Sequence, residues 1–156
     1  MNDQLRIAIA DDEYVMRVFF QKVLLQHGYK LVVVAENGQQ LAEGCLCHDP
    51  DLIIADIQMP GMHGLHAIHE ASRKRRIPVI LVSTHCESEL LEQTQRAFVL
   101  GYLIKPIKMS DLKPAIVLAM QRAREFESLE QQVIDLNLAL QADGPDQTTR
   151  SATAGI

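Results

Sequence analysis

The chain has 156 residues, enough for one domain and an appendage. Apolar residues make up 47% and charged residues 22%, with a net charge of −5, an ordinary globular balance that weighs against direct nucleic-acid binding by this chain alone. No run of about 18 apolar residues occurs, and the polar start Met1–Arg6 leads straight into an apolar stretch, so neither a membrane span nor a signal segment is expected and the protein is placed in the cytoplasm.

Leu5–Ala10 reads as a first strand. Met16, Phe19, Phe20, Val23 and Leu24 then recur at helical spacing on one face, and Gly28 closes that helix. Leu31–Ala35 is a second strand, and Asn37 caps a second helix that carries Leu41, Ala42 and Cys45. Leu52–Ala55 is a third strand and runs into Asp56. A third helix follows from Gly64 to about Arg73, with the basic run Arg73–Arg76 suited to its negative end. Pro78–Ser83 is a fourth strand, Glu87 to about Phe98 a weaker fourth helix, and Gly101–Ile104 a fifth strand followed by Lys105-Pro106. From about Ser110 a helical pattern runs on to about Ala142.

Strands that alternate with helices and are nearly continuous in apolar residues indicate an α/β fold with an open, doubly wound parallel sheet. Such sheets bind ligands at the carboxyl ends of their strands. Asp11 and Asp12 follow the first strand, Asp56 the third and Lys105 the fifth, while Ser83 ends the fourth, so a parallel sheet gathers all of them at one edge. Three gathered carboxylates repel one another unless a cation is present, and hard oxygen ligands with open positions favour Mg²⁺. Lys105 adds a point charge and Ser83 a hydroxyl donor, together a site suited to phosphoryl transfer with a carboxylate as nucleophile. Singly, each residue has a plainer reading. Asp11-Asp12 would be a helix N-cap, Asp56 a turn residue, Ser83 a strand-end hydroxyl and Lys105-Pro106 a loop; their joint placement carries the argument.

The segment Asp56-Ile-Gln-Met-Pro-Gly-Met-His-Gly64 resembles the phosphoacceptor segment of bacterial two-component response-regulator receiver domains. Asp11-Asp12-Glu13 resembles their acidic pocket, Ser83 their switch hydroxyl, Tyr102 their switch aromatic and Lys105-Pro106 their lysine with a following cis-proline. The resemblance spans about residues 4–122 and implies a flavodoxin-like sheet of order 2-1-3-4-5. It implies that Asp56 takes a phosphoryl group from a sensor histidine kinase or phosphotransfer protein. It also implies that Asp11, Asp12, Asp56 and the Gln58 carbonyl hold Mg²⁺, that Ser83, Thr84 and Lys105 hold phosphoryl oxygens, and that Ser83 and Tyr102 switch the face made by the fourth helix, fifth strand and last helix. Such a protein turns over no external metabolite. A Mg²⁺-dependent phosphohydrolase on a similar sheet would carry its nucleophile after the first strand with a second acid two residues on, which Asp11-Asp12-Glu13 does not match. Two departures stand out: Thr84, where the family usually has a smaller residue, narrows access to the site, and Phe98-Val99-Leu100 replaces the usual Gly-Ala turn before the fifth strand.

Beyond Arg122 the last helix continues with Phe126, Leu129, Val133, Leu136 and Leu140 at alternating spacings of three and four, a coiled-coil seam over residues 123–142. Extrapolated backwards, the seam passes Arg122, Ala119, Ala115 and Leu112. Burying five such side chains contributes about 1.5–3 kcal/mol each, so pairing with a second copy is expected, against the alternative of folding back on the same domain. Ile134 and Leu138 lie off the seam and leave a higher oligomer open. Gly101–Leu140 resembles the receiver and coiled-coil linker of antiterminator-type (ANTAR) regulators, which continue into a three-helix RNA-binding module. Nothing after Leu140 resembles that module: either it is absent by nature or the sequence stops short of it, and the polar tail favours the first. Alternatives are therefore an RNA-linked antitermination regulator without its output module, and a degenerate receiver used only to dimerise. The tail 143–156 is rich in Gly, Pro, Thr and Ser and is expected to be disordered.

The three cysteines Cys45, Cys47 and Cys86 form no disulfide framework and read as reduced thiols. His63, His66 and His69, three apart, read as solvated helix residues rather than a zinc site, and Arg73–Arg76 as a solvated helix end.

Overall fold

The computed structural model describes residues 4–84 and 98–143 of the chain. The chain divides after Ala123 into two units. In the first, β1 (Arg6–Ala10), β2 (Lys30–Ala35), β3 (Leu52–Asp56), β4 (Val79–Ser83) and β5 (Val99–Ile104) form one sheet. All pairs are parallel and the order is β2-β1-β3-β4-β5, as expected for a flavodoxin-like α/β fold. Helices α1 (Tyr14–Gln26), α2 (Gly38–His48) and α3 (Gly64–Ala71) alternate with the strands, and α4 (Met109–Ala142) follows β5.

The central strands β1, β3 and β4 are buried on both faces because their side chains alternate between two cores, while the edge strands β2 and β5 stay partly exposed. Ala8, Ala10, Ile53, Ala55, Val79 and Leu81 pack with Leu41 and Cys45 of α2 and Ala67 and Ile68 of α3. Ile7, Ile9, Leu52, Ile54, Ile80 and Val82 pack on the other face with Phe20, Val23 and Leu24 of α1 and Leu112, Ile116 and Ala119 of α4. Leu112 and Ala119 are thus core residues of this unit, and the backward extension of the coiled-coil seam is already occupied.

Several local expectations change. Helix α1 starts at Tyr14 with Glu13 at its N-cap, no side-chain cap and no acid in its first turn, so Asp11-Asp12 is not a capping pair. Asn37 does cap α2, its side chain accepting from the Gln40 N–H. Helix α3 stops at Ala71, and two of the cations beyond it, Lys74 and Arg75, serve the end of α2 instead. Lys74 donates to the Leu46 carbonyl, and Arg75 donates to the Pro50 carbonyl and pairs with Asp49 at 3.1 Å. Strand β5 begins two residues early, because Val99 and Leu100 have the side chains of a strand and Val99 pairs with Val79. The expected helix from Glu87, together with Cys86 and the tail from residue 144, lies outside the described residues.

The second unit contains the rest of α4, from Arg124 to Ala142. Phe126, Leu129, Val133, Leu136 and Leu140 are each between 45% and 71% exposed, as are Ile134 and Leu138. Among the described residues, no helix is long and apolar enough to cross a membrane.

Candidate functional site

The carboxyl edge of the sheet brings Asp11, Asp12, Asp56, Ser83 and Lys105 to one place, because each lies at or just past the end of a parallel strand. Main-chain bonds continue the ladder past the strand ends. Asp11 N–H donates to the Ala35 carbonyl at 3.1 Å, Ile57 N–H to Val82 at 3.1 Å and Lys105 N–H to Ser83 at 2.8 Å. The peptide between Lys105 and Pro106 is cis.

Asp56 is the last residue of β3 and is buried. Its Oδ1 accepts the Gln58 N–H at 2.9 Å, and its Oδ2 accepts from Lys105 Nζ at 2.8 Å. Asp11 is fully buried, with Oδ1 accepting the Glu13 N–H at 2.9 Å. Its Oδ2 has Lys105 Nζ at ion-pair distance, 3.1 Å, but outside hydrogen-bonding geometry, and accepts no hydrogen bond. Asp12 is exposed and borders the same space: one carboxylate oxygen from each of Asp11, Asp12 and Asp56 lies within 4.8 Å of the others.

These groups fit a small divalent cation. A buried carboxylate oxygen without a hydrogen bond is costly and is relieved by a metal, and three hard oxygens with open sides suit Mg²⁺. Burial pushes the Asp11 carboxyl above its usual value, despite the lowering effects of the Glu13 N–H and Lys105. Burial alone would pull the Lys105 ammonium down, but its hydrogen bond to Asp56 and its close charge contacts with Asp11 and Asp56 outweigh that and raise it. Lys105 is therefore a fixed cation, able to neutralise charge but not to shuttle protons at neutral pH.

Two side chains at this edge have partners that the sequence did not name. Glu13 Oε1 lies 3.3 Å from Lys105 Nζ, giving the ammonium three carboxylate neighbours. Arg17, on the first turn of α1, donates through Nη1 to the Asp11 carbonyl at 2.9 Å and the Asp12 carbonyl at 3.1 Å. Side chains in the first turn of a helix lean toward its N-terminus, so position 17 carried that signal. Gly64 packs on the segment after Asp56: a Cβ there would sit 2.6 Å from the Asp56 carbonyl oxygen and 2.8 Å from that of Ile57.

The remaining expected residues are placed as follows. Gln58 is exposed, two residues past Asp56. Ser83 is buried and Thr84 is exposed. Tyr102 lies opposite Leu81 in the β4–β5 register, half-buried against the core beneath α2 and α3. His63, His66 and His69 are exposed, His63 capping α3 by accepting the Leu65 N–H at 3.3 Å. Among the described residues, the acidic trio is the group that could hold a metal.

Residues 7–117 match the response regulator receiver domain family. The chain is 38% identical over 136 residues to the transcriptional regulatory protein PdtaR of Mycobacterium tuberculosis, covering 87% of this chain. That share takes in part of α4 beyond Ala123, and this chain spans 66% of that relative's length, just under two thirds. It is 31% identical over 112 residues to the chemotaxis protein CheY of Bacillus subtilis, covering 71% of this chain and 93% of that protein. The structure of chemotaxis protein CheY4 of Vibrio cholerae superposes with a TM-score of 0.67 at 20% identity, covering 76% of this chain and 98% of that one, and supports the fold.

Proposed function

Because the chain belongs to the response-regulator receiver family of two-component signalling, we propose that it is a phosphorylation-controlled switch in which Asp56 accepts the phosphoryl group. The observation that supports this most directly is the setting of Asp56. Its buried carboxylate is held by the Gln58 N–H on one oxygen and Lys105 on the other, beside Asp11 and Asp12.

The donor is a phosphohistidine of a sensor kinase or phosphotransfer protein. An oxygen of Asp56 forms the new P–O bond while the P–N bond breaks, and the electron pair of that bond returns to the imidazole. Asp11, Asp12, Asp56 and the Gln58 carbonyl are the residues that would hold Mg²⁺. When bound there, Mg²⁺ supplies charge neutralisation for the oxygens of the phosphoryl group. Lys105 supplies a fixed positive charge to the same oxygens, and Ser83 and Thr84 supply hydroxyl donors. Engagement of Ser83 lets Tyr102 turn inward and alters the face that β5 and α4 present, a population shift driven by new charge-assisted contacts.

The output passes through α4. Residues 123–142 pair with a second copy along Phe126, Leu129, Val133, Leu136 and Leu140. The alternation of three and four along these five residues suits a parallel pair. Exposure of all five side chains supports this reading. The similarity to a transcriptional regulatory protein, reaching into this helix, supports an output in gene expression, and an RNA-linked antitermination regulator remains the second reading.

The test is incubation with Mg²⁺ and acetyl phosphate, read by intact mass. A phosphate-sized gain that Asp56→Asn abolishes is expected. No gain, together with no Mg²⁺ binding, would reduce the chain to a receiver-shaped dimerisation module.

A further inference from the structure

The geometry points to Arg17 as a positioning residue for the metal pocket, one that acts by gripping the main chain of the two aspartates rather than their carboxylates. The inference rests on the proposed Mg²⁺ role of Asp11 and Asp12.

The segment between β1 and α1 has few restraints of its own. Helix α1 lacks a side-chain N-cap, so no capping side chain fixes the path of the chain into it. Asp12 is exposed, and its side chain makes no hydrogen bond among the described residues. Besides the ion pairs of Asp11 and Glu13 with Lys105, what holds the segment is a small set of bonds. Asp11 N–H reaches Ala35, Asp11 Oδ1 takes the Glu13 N–H, and both carbonyls that follow β1 are taken by one guanidinium.

That guanidinium is itself fixed. The Arg17 side chain is only 12% exposed, its carbon lies 5.8 Å from the centroid of the Tyr14 ring, and Nη2 reaches Glu36 Oε1 at 3.5 Å. A single rigid fork therefore ties the β1–α1 segment to the start of the β2–α2 segment. Rotating either aspartate peptide would break a bond to Arg17, and those two peptides set the direction of both side chains. Groups that orient metal ligands typically hold about 10- to 100-fold of the affinity.

Arginine chemistry is specific to this task. Lysine at position 17 keeps the charge and the aliphatic stem but has one nitrogen, so it lacks the second arm that reaches Glu36 while Nη1 holds both the Asp11 and Asp12 carbonyls. The substitution therefore separates charge from geometry.

The experiment uses the full chain and four proteins: wild type, Arg17→Lys, Arg17→Ala and Asp12→Asn. Mg²⁺ is titrated while amide NMR shifts near Asp12, Asp56 and Gln58 are followed, and metal-free thermal unfolding is recorded in parallel. Arg17→Lys is expected to keep a wild-type metal-free spectrum beyond the β1–α1 segment and to weaken Mg²⁺ binding about 10-fold or more. A merely structural role would lower the metal-free Tm and leave the Mg²⁺ Kd unchanged, and that result overturns the inference. If Arg17→Ala does not fold, Arg17→Lys decides alone. A wild type that binds no Mg²⁺, like Asp12→Asn, would sink the phosphoswitch reading itself, and the positioning role with it.

Discussion

Glu13 Oε1 stands 3.3 Å from Lys105 Nζ across 92 residues of sequence, joining the two ends of the β1–β3–β4–β5 edge by a side chain that is 61% exposed. Lys105 has three donors, and three carboxylates surround it. A phosphoryl group on Asp56 needs one of those donors, and the exposed Glu13 is the partner that water replaces most cheaply.

Glu13→Gln is therefore expected to speed phosphorylation by acetyl phosphate and to lengthen the life of the product. Exposed pairs are worth about 0–1 kcal/mol, which limits the change to about fivefold. Rapid-quench kinetics with intact mass measure both rates. A slower phosphorylation would show that Glu13 steadies Lys105 rather than competing for it.

Gly64 packs where no side chain fits, against carbonyls that belong to the main chain and cannot rotate aside. Gly64→Ala should lower stability by about 1–3 kcal/mol through forced displacement. It should also slow the acetyl phosphate reaction about 10- to 100-fold, because the displaced atoms carry Asp56 and Ile57. Urea unfolding and phosphorylation rates are measured on one preparation. Unchanged phosphorylation would mean that the shift is absorbed by α3.

Asp11 gives a pH dependence with a defined sign. Burial raises its carboxyl above the ordinary value of 3.8, so the folded state binds this proton more tightly than the unfolded state. Stability from this group is present at low pH and is lost as pH rises through the folded value. At neutral pH without metal the buried charge opposes folding. Asp11→Asn should then have a higher metal-free Tm than wild type at pH 7, with the gap closing as pH falls toward about 4. Mg²⁺ should raise the wild-type Tm and leave that of the variant nearly unchanged. A variant less stable than wild type at pH 7 would mean that the Lys105 pair outweighs burial.

The paired-helix proposal predicts that Val133→Ser with Leu136→Ser weakens self-association about 100-fold or more, two side chains at about 1.5 kcal/mol or above each. Light scattering across a dilution series reads the assembly, and circular dichroism checks the fold. A wild type that is monomeric at all concentrations would leave the seam for another partner.

The central strands and the residues at their ends were legible because burial on both faces demands continuous apolar runs, and the first polar group after each run marks the sheet edge. Asn37 was legible as a cap for a similarly local reason. The rest depends on what lies beside a residue in space. Arg73–Arg76 has the composition of a solvated helix end, yet Lys74 reaches a carbonyl of α2 and Arg75 the Pro50 carbonyl just past that helix. Val99 and Leu100 carry strand-forming side chains, but the expected turn before the fifth strand displaced that reading by two residues. Glu13 and Arg17 are long side chains whose partners the local sequence does not name. Leu112 and Ala119 fit a heptad as well as they fit a core, and only the sheet beneath them decides which.

The ladder bonds that outlast the strands give this edge a mechanical character. From Asp56 the chain passes to Ile57, whose N–H holds the Val82 carbonyl, and the next carbonyl, that of Ser83, holds Lys105. Two main-chain bonds thus connect the third strand to the fifth without any side chain between them. A tug on the Asp56 peptide is hauled sideways through the fourth strand as through stitches along a hem, so the lysine that answers a new charge is also sewn to the residue that bears it.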